Sequence, residues 1–354
     1  MSAGVSELFQ RERGFIAFVL FAFVVAYFVA PYPSIAMWVG FALAGYSAVS
    51  NDSIQTLGTF IASNSEQKWY LLWLYIGLIF LATVTYSFVA YDGDVSYERL
   101  STKGFSEAPT SFHFLQVAAP VFLLIITRMR MPISTTFLLL TSFAVEPSGV
   151  EKVLVKSLSG YVLAFVLAIV IWFLFARLMR DRFRGPVSLG WKVALWVTSG
   201  ALWSFWIMQD AANIAVYLPR QLSLTQFIFF AGTIFFGLGL IFYRRGDRIQ
   251  AIVDEKSGVS DVRMSAVVNF VYALIIYFFK VQSKVPMSTT WVFLGLLGGR
   301  ELAMNLVKVS EHGLSTTMKM IGRDLLFASI GLIVSIILAL GVNETFREQL
   351  FASF

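Results

Sequence analysis

Long apolar runs separated by short polar ones dominate this chain. Runs of this kind cover residues 14–30, 34–62, 69–91, 111–127, 157–180, 188–219, 224–243, 264–282 and 322–342. An apolar helix of about 20 residues crosses the hydrocarbon core of a bilayer, so each run predicts a membrane helix. Two of them, 34–62 and 188–219, are too long for one upright helix. Each holds a polar segment near its middle or end, and a helix broken at that segment is expected. Two further runs, 131–145 and 287–299, are too short to cross comfortably. They predict half-helices, or the second arms of helical hairpins.

The polar segments form a pattern that occurs twice. NDSIQTLGT starts at Asn51 and QDAAN starts at Gln209, an offset of 158 residues. Each is followed, after an apolar interval, by a proline and a Ser-Thr-Thr triplet: PISTT at 132–136 and PMSTT at 286–290, an offset of 154. Two motif pairs in one order at nearly one offset indicate an internal duplication. At membrane depth, such a duplication predicts a transporter built from two repeats around a central polar site.

Loop charges supply the topology, because cytoplasmic loops carry excess Lys and Arg. Segment 177–192 holds Arg177, Arg180, Arg182, Arg184 and Lys192, and segment 244–263 holds Arg244, Arg245, Arg248, Lys256 and Arg263. Both are expected inside. Segment 92–110 has only Arg99 and Lys103 and is expected outside. The parity then requires hairpins at 111–145 and 264–299 that enter from opposite faces. Each repeat has five passes, an odd number, so the second is inverted.

The expected architecture is an all-α integral membrane protein of two inverted-topology repeats, with broken helices, helical hairpins and about 11 passes. An extra helix (1–33) precedes repeat 1 (34–180) and repeat 2 (181–354), which form one transport domain. The N-terminus is expected in the cytoplasm and the C-terminus outside.

Composition agrees with a lipid solvent. Hydrophobic residues are 58% of the chain and charged residues 14%, with a mean hydropathy of +0.75. A soluble chain is nearer 25% charged. The net charge of +6 is small and lies in loops, so it speaks for topology and an anionic membrane surface and against nucleic acid. There is no cysteine, which excludes disulfides and thiolate metal sites. The first apolar run is flanked by Arg11 and Arg13 and followed by PYPS, not by a small-residue cleavage site, so a retained first helix is expected.

A carboxylate deep in a membrane faces a polar cavity or a partner. Asp52 and Asp210, at matched repeat positions, are therefore candidates for cation coordination or proton carriage, with Asn51, Gln55, Gln209 and Asn213 supplying amide oxygens. An unwound helix would add free carbonyls there. Surface helix caps are the simpler alternative. The triplets Ser134-Thr135-Thr136 and Ser288-Thr289-Thr290 follow prolines, as capped helix starts do. Hydroxyls and free N–H groups at such starts also bind oxyanions. Arg128, Arg130, Lys280 and Lys284 precede the triplets and are expected either to snorkel to the interface or to form an electropositive vestibule. Glu146 and Glu301 follow them, as solvated helix ends or a further cation pair. His113 and His312 have no partner at metal-ligand spacing. No nucleophile–base constellation is evident, and no enzyme activity is expected.

With these motifs in place, the chain resembles the inorganic phosphate transporter family, which includes sulfate permeases. That family carries two GANDVANAxGT-like motifs and two PVSTTH-like motifs. The first acidic motif matches at Asn51, Asp52, Gly58 and Thr59, and the second at Asp210, Ala212 and Asn213; PISTT and PMSTT match the later pair. The stretch from Gly237 through Gln250 is also similar, and the likeness spans most of residues 40–342. Gln55 and Gln209 stand where the family has Asn, Val216 and Tyr217 replace small residues, and Phe137 and Trp291 stand where His is common.

The resemblance implies a symporter of inorganic phosphate coupled to Na+ or H+, with a sulfate or other oxyanion permease of the same family as the alternative; an anion channel is a rival from another class. It implies Asn51, Asp52, Gln209 and Asp210 as the Na+ or proton site. Ser134, Thr135, Thr136, Ser288, Thr289, Thr290, Gln55 and Asn213 would bind the anion. No cofactor is implied besides Na+ as coupling ion. The expected partners are the anion, the cation and the lipid bilayer, with a homodimer as an open option and the bacterial inner membrane as the expected location.

Overall fold

The protein is described from a computed structural model. It covers residues 2–101, 105–129, 131, 133–144, 147–182, 185–244, 261–308, 313–342, 344 and 347–348. These residues form eleven α-helices and two short 3-10 turns, with no strand among them. The helices are α1 (Ser2–Val29), α2 (Pro33–Ser63), α3 (Trp69–Ala90), α4 (Phe114–Arg128), α5 (Thr135–Leu138), α6 (Pro147–Arg182), α7 (Leu189–Ala215), α8 (Leu224–Tyr243), α9 (Val262–Gln282), α10 (Thr289–Leu306) and α11 (Leu314–Val342). The 3-10 turns are Arg99–Ser101 and Leu140–Phe143.

Among the described residues, seven helical segments are long and apolar enough to cross a membrane: Glu12–Val29, Pro33–Asp52, Trp69–Ala90, Ser148–Leu174, Leu224–Tyr243, Val262–Phe279 and Leu314–Val342. Large apolar side chains point outward from them, among them Phe21, Leu78, Leu174, Phe236 and Ile337. That outer surface fits a lipid solvent and would aggregate in water. The chain is a membrane-embedded, all-helical protein.

The local sequence sets the helix starts. Pro33 sits in the first turn of α2, where its missing N–H is no loss. Ser223 caps α8 and Gln226 reaches back to the cap's N–H, a capping box. Asp261 caps α9 by accepting from Arg263 N–H. His113 caps α4 by accepting from Leu115 N–H.

Packing is reciprocal between the two halves of the chain. The helix α2 lies against α4, and α7 against α9. Across the halves, α6 runs along α10, while α11 covers α5 and the second 3-10 turn. The helices α2 and α7 meet each other, as do α3 and α8. Close approach of α6 and α10 depends on glycine. A Cβ on Gly295 would stand 2.3 Å from Tyr161 O, and one on Gly299 would stand 2.2 Å from Phe165 O. Two glycines four residues apart let the two backbones touch, as in other membrane helix pairs.

One expectation fails, and the two short runs take different forms. The helices α2 and α7 are not broken at the acidic motifs: α2 runs unbroken through Asn51 and Asp52, and α7 through Gln209 and Asp210. The polar side chains bond sideways or within the ladder, as Thr56 Oγ1 does in donating to Asp52 O at 3.1 Å, and displace no backbone bond. The excess length of α2, 31 residues, gives about 46 Å at about 1.5 Å per residue. Tilt or protrusion accommodates this without a break. The two short arms are also unequal. The first is a four-residue helix and a 3-10 turn, whereas the second is an 18-residue helix, α10.

Candidate functional site

Both acidic motifs and both triplets meet in the centre of the bundle. Asp52 on α2 and Asp210 on α7 are 0% and 1% exposed. Asp210 also bears electrostatically on Asp52. Thr135 Oγ1 donates to Asp52 Oδ2 at 2.5 Å, and Thr289 Oγ1 donates to Asp210 Oδ2 at 2.5 Å. Each carboxylate therefore receives the second residue of one triplet, in matched geometry.

The third residues cross over. Thr136 Oγ1 donates to Met287 O at 3.0 Å, and Thr290 Oγ1 donates to Ile133 O at 3.2 Å. Met287 and Ile133 each immediately precede the other half's triplet. The first residues are caps: Ser134 Oγ accepts from Phe137 N–H at 3.1 Å, and Ser288 Oγ accepts from Trp291 N–H at 3.2 Å. The rings of Phe137 and Trp291 meet at 5.5 Å. Every triplet hydroxyl thus has a partner within the protein.

Amides complete the centre. Asn213 Nδ2 lies 2.8 Å from Asp210 Oδ1, 3.1 Å from Thr136 Oγ1 and 3.3 Å from Thr135 Oγ1. Asn51 Nδ2 donates to Asp52 Oδ1 at 2.7 Å and to Ile133 O at 2.9 Å, and its Oδ1 accepts from Thr127 Oγ1 at 3.1 Å. Gln209 Nε2 donates to Ile276 O at 3.3 Å. Three buried amide oxygens, Gln55 Oε1, Gln209 Oε1 and Asn213 Oδ1, have no partner among the described residues. Carboxylates beside unpartnered carbonyl oxygens are a donor set for a hard cation.

Other expected residues fall elsewhere. Arg128 pairs with Glu12 at 2.9 Å, and Lys284 pairs with Glu98. Both engage a carboxylate, so neither stands as a bare vestibule charge. Glu301 pairs with Arg300 at 3.1 Å, away from the centre. Pro132, Arg130, Glu146 and His312, and the side chain of Lys280, lie outside the described residues.

Two basic side chains that sequence reasoning left aside hold the turn before the second triplet. Arg99, expected as a loop charge, is 2% exposed. Its Nε donates to Met208 O at 2.6 Å and its Nη1 to Ser283 O at 3.3 Å. Burial pulls its guanidinium down to about 10, and the charge of Asp210 works against that, so it stays protonated at neutral pH. Lys156 Nζ donates to the same Ser283 O at 3.0 Å. A cavity of 380 Å³ opens beside this turn, lined in part by Glu151, Lys152, Lys156 and Ser283. No pattern around Arg99 or Lys156 marks them in the sequence.

Compared with known proteins, the chain matches no family model, no curated protein and no solved structure.

Proposed function

We propose that this protein is a secondary transporter of inorganic phosphate, or of sulfate or a related tetrahedral oxyanion, coupled to Na+ or H+. The observation that carries the reading is the reciprocal centre: Thr135 on Asp52, Thr289 on Asp210, and Thr136 and Thr290 exchanged between the halves. Its near two-fold pattern is what two inverted repeats produce. Alternating access by rocking one half against the other follows from that architecture. The motif likeness to inorganic phosphate transporters supports the substrate class.

Coupling has a simple chemical form in this site. A cation at Asp52 and Asp210, drawing also on Gln55, Gln209 and Asn213 oxygens, takes over the charge that the threonine hydroxyls now satisfy. Thr135 and Thr289 are then free to turn and donate to an oxyanion. The anion binds after the cation, and neither travels well alone. Neutral donors release the anion readily, where a fixed arginine clamp would retain it.

Purified protein in liposomes tests this. Uptake of radiolabelled phosphate is measured under a Na+ gradient, a pH gradient and neither, with sulfate as competitor on both sides of phosphate's second pKa. Phosphate uptake driven by one of the cation gradients is expected, with weak competition by sulfate. Asp52→Asn and Asp210→Asn reduce it to background in folded protein. No uptake of phosphate or sulfate under any gradient overturns the reading. Strong sulfate competition without phosphate uptake moves the substrate to sulfate. Flux that follows the electrical gradient with no coupled cation makes the protein a channel.

A further inference from the structure

Beyond Asp52, α2 continues for eleven residues to Ser63. At helical spacing it presents Gln55, Thr56, Thr59 and Ser63 on the face that carries Asp52. The helix α9 meets this face with Ser265 and Asn269. Helix α7 adds Ser199, eleven residues before Asp210 and on the same side. These groups are joined across the three helices. Thr59 Oγ1 donates to Asn269 Oδ1 at 2.9 Å, Asn269 Nδ2 donates to Ser199 Oγ at 2.9 Å, and the Ser63 and Ser265 hydroxyls are 2.9 Å apart. Ser199, Ser265, Asn269 and Thr59 are all buried.

Hydroxyl pairs of this kind also pin helices together. Two observations go further. The row does not end in a satisfied pair: Gln55 Oε1, between Thr59 and Asp52 along the face, is buried without a partner among the described residues. The space on the other side of the carboxylates is also built differently. Tyr217 follows Asp210 by seven residues, as Thr59 follows Asp52. Its ring packs on Phe143 at 4.7 Å and stacks near Phe112 at 6.4 Å, over Gly40. This matched position thus carries a threonine hydroxyl on the seam side and, on the other, an aromatic ring whose own hydroxyl is taken up by Gln116 O at 2.8 Å. Oxygen-lined walls are wettable and can take over a cation's hydration shell, whereas an aromatic plug excludes water.

We infer that the seam of α2, α7 and α9 is the passage for the coupling cation between the carboxylate pair and the membrane face at which α2 ends. Its length, from Asp52 to Ser63, is about 16 Å, half of a hydrocarbon core of about 30 Å. Loop charge assigns that face to the cytoplasm. The inference rests on the transporter reading and names its route.

The natural absence of cysteine makes the test direct. Ser63→Cys, Ser199→Cys, Ser265→Cys and, on α2 before Asp52, Ala48→Cys are made singly. Each folded variant is exposed to a small membrane-impermeant cationic methanethiosulfonate in vesicles of either orientation. The three seam cysteines are expected to react from the α2-end face, about tenfold faster than Ala48→Cys, because a charged reagent follows the wettable path. Ala48→Cys reacting as fast, or no seam cysteine reacting, overturns the proposal. A second arm measures radiolabelled Na+ flux and proton flux separately in Asn269→Leu and Asn269→Ser. Leu is expected to slow one cation about tenfold and Ser to restore it; unchanged flux of both in folded Asn269→Leu also overturns it. Labelling is read without transport. A protein that labels as expected but moves no oxyanion therefore keeps the seam and loses the substrate.

Discussion

At the residue scale, the centre is defined by two hydroxyls of equal standing. Thr135 and Thr289 each make a 2.5 Å bond to a carboxylate, and valine would keep their volume while removing the donor. A hydrogen bond to a charged group contributes roughly 1.5–3 kcal/mol, so each loss corresponds to about ten- to a hundredfold in an equilibrium. Thr135→Val and Thr289→Val are each expected to raise the apparent KM for phosphate at least about tenfold, by similar amounts, with the fold intact. Uptake kinetics in liposomes check this, and an unchanged KM in both variants would confine the hydroxyls to holding the empty carboxylates. A shared centre was legible in the sequence because the motifs repeat, but the bond from each threonine to an aspartate was not, since the triplets read as helix caps or anion donors and the aspartates as a cation site. Arg99 was not legible, because a single arginine in a mixed loop is indistinguishable from a solvated charge until the fold brings Met208 O and Ser283 O to it.

At the scale of elements, seven of the nine long apolar runs hold, among the described residues, a helical segment long and apolar enough to span, while 111–127 and 188–219 do not. The run 224–243 coincides with α8, and 264–282 differs from α9 by two residues at its start. Apolar length failed where it was read as an upper limit. A helix longer than the membrane is thick can tilt, and polar side chains within it need not unwind it, so α2 and α7 remain whole. The contact between α6 and α10 is decided instead by residues with no side chain. Any side chain on Gly295 or Gly299 meets a backbone carbonyl oxygen at about 2.2–2.3 Å, which only separation of the helices relieves. Overpacking of this kind costs about 1–3 kcal/mol. Gly299→Ala should therefore lower the thermal midpoint in detergent by several degrees, and Gly322→Ala, in open space, should not. Equal midpoints would mean that the two backbones are not in contact.

At the scale of the whole molecule, the proposed coupling requires that the two passages never open at once. The aromatic group of Tyr217, Phe112 and Phe143 stands on one side of the carboxylates while the hydroxyl seam lies on the other. Removing a ring of that size leaves a void that water can fill. Tyr217→Ala is expected to let cations cross without phosphate, seen as dissipation of an imposed gradient in anion-free liposomes. A tight Tyr217→Ala protein with normal coupled uptake would show that the plug is packing and not a barrier.

The exchanged bonds between the halves bear on how such a chain is made. Ile133 O receives Thr290 Oγ1 across 157 residues of chain. At about 5–20 residues per second of synthesis, its partner emerges from the ribosome roughly 10–30 s later. Until then the first half sits in the bilayer with Asp52 and Asn51 already bonded to Thr135, Ile133 O and Thr127, but with Thr136 Oγ1 lacking Met287 O and Ile133 O lacking Thr290, where an unpaired polar group is costly. The newborn first half is thus a membrane protein with an unfinished interior, exposed to insertion factors and proteases for that interval. Duplication lets each half complete the other, and it makes the lifetime of the half-made molecule part of what selection acts on.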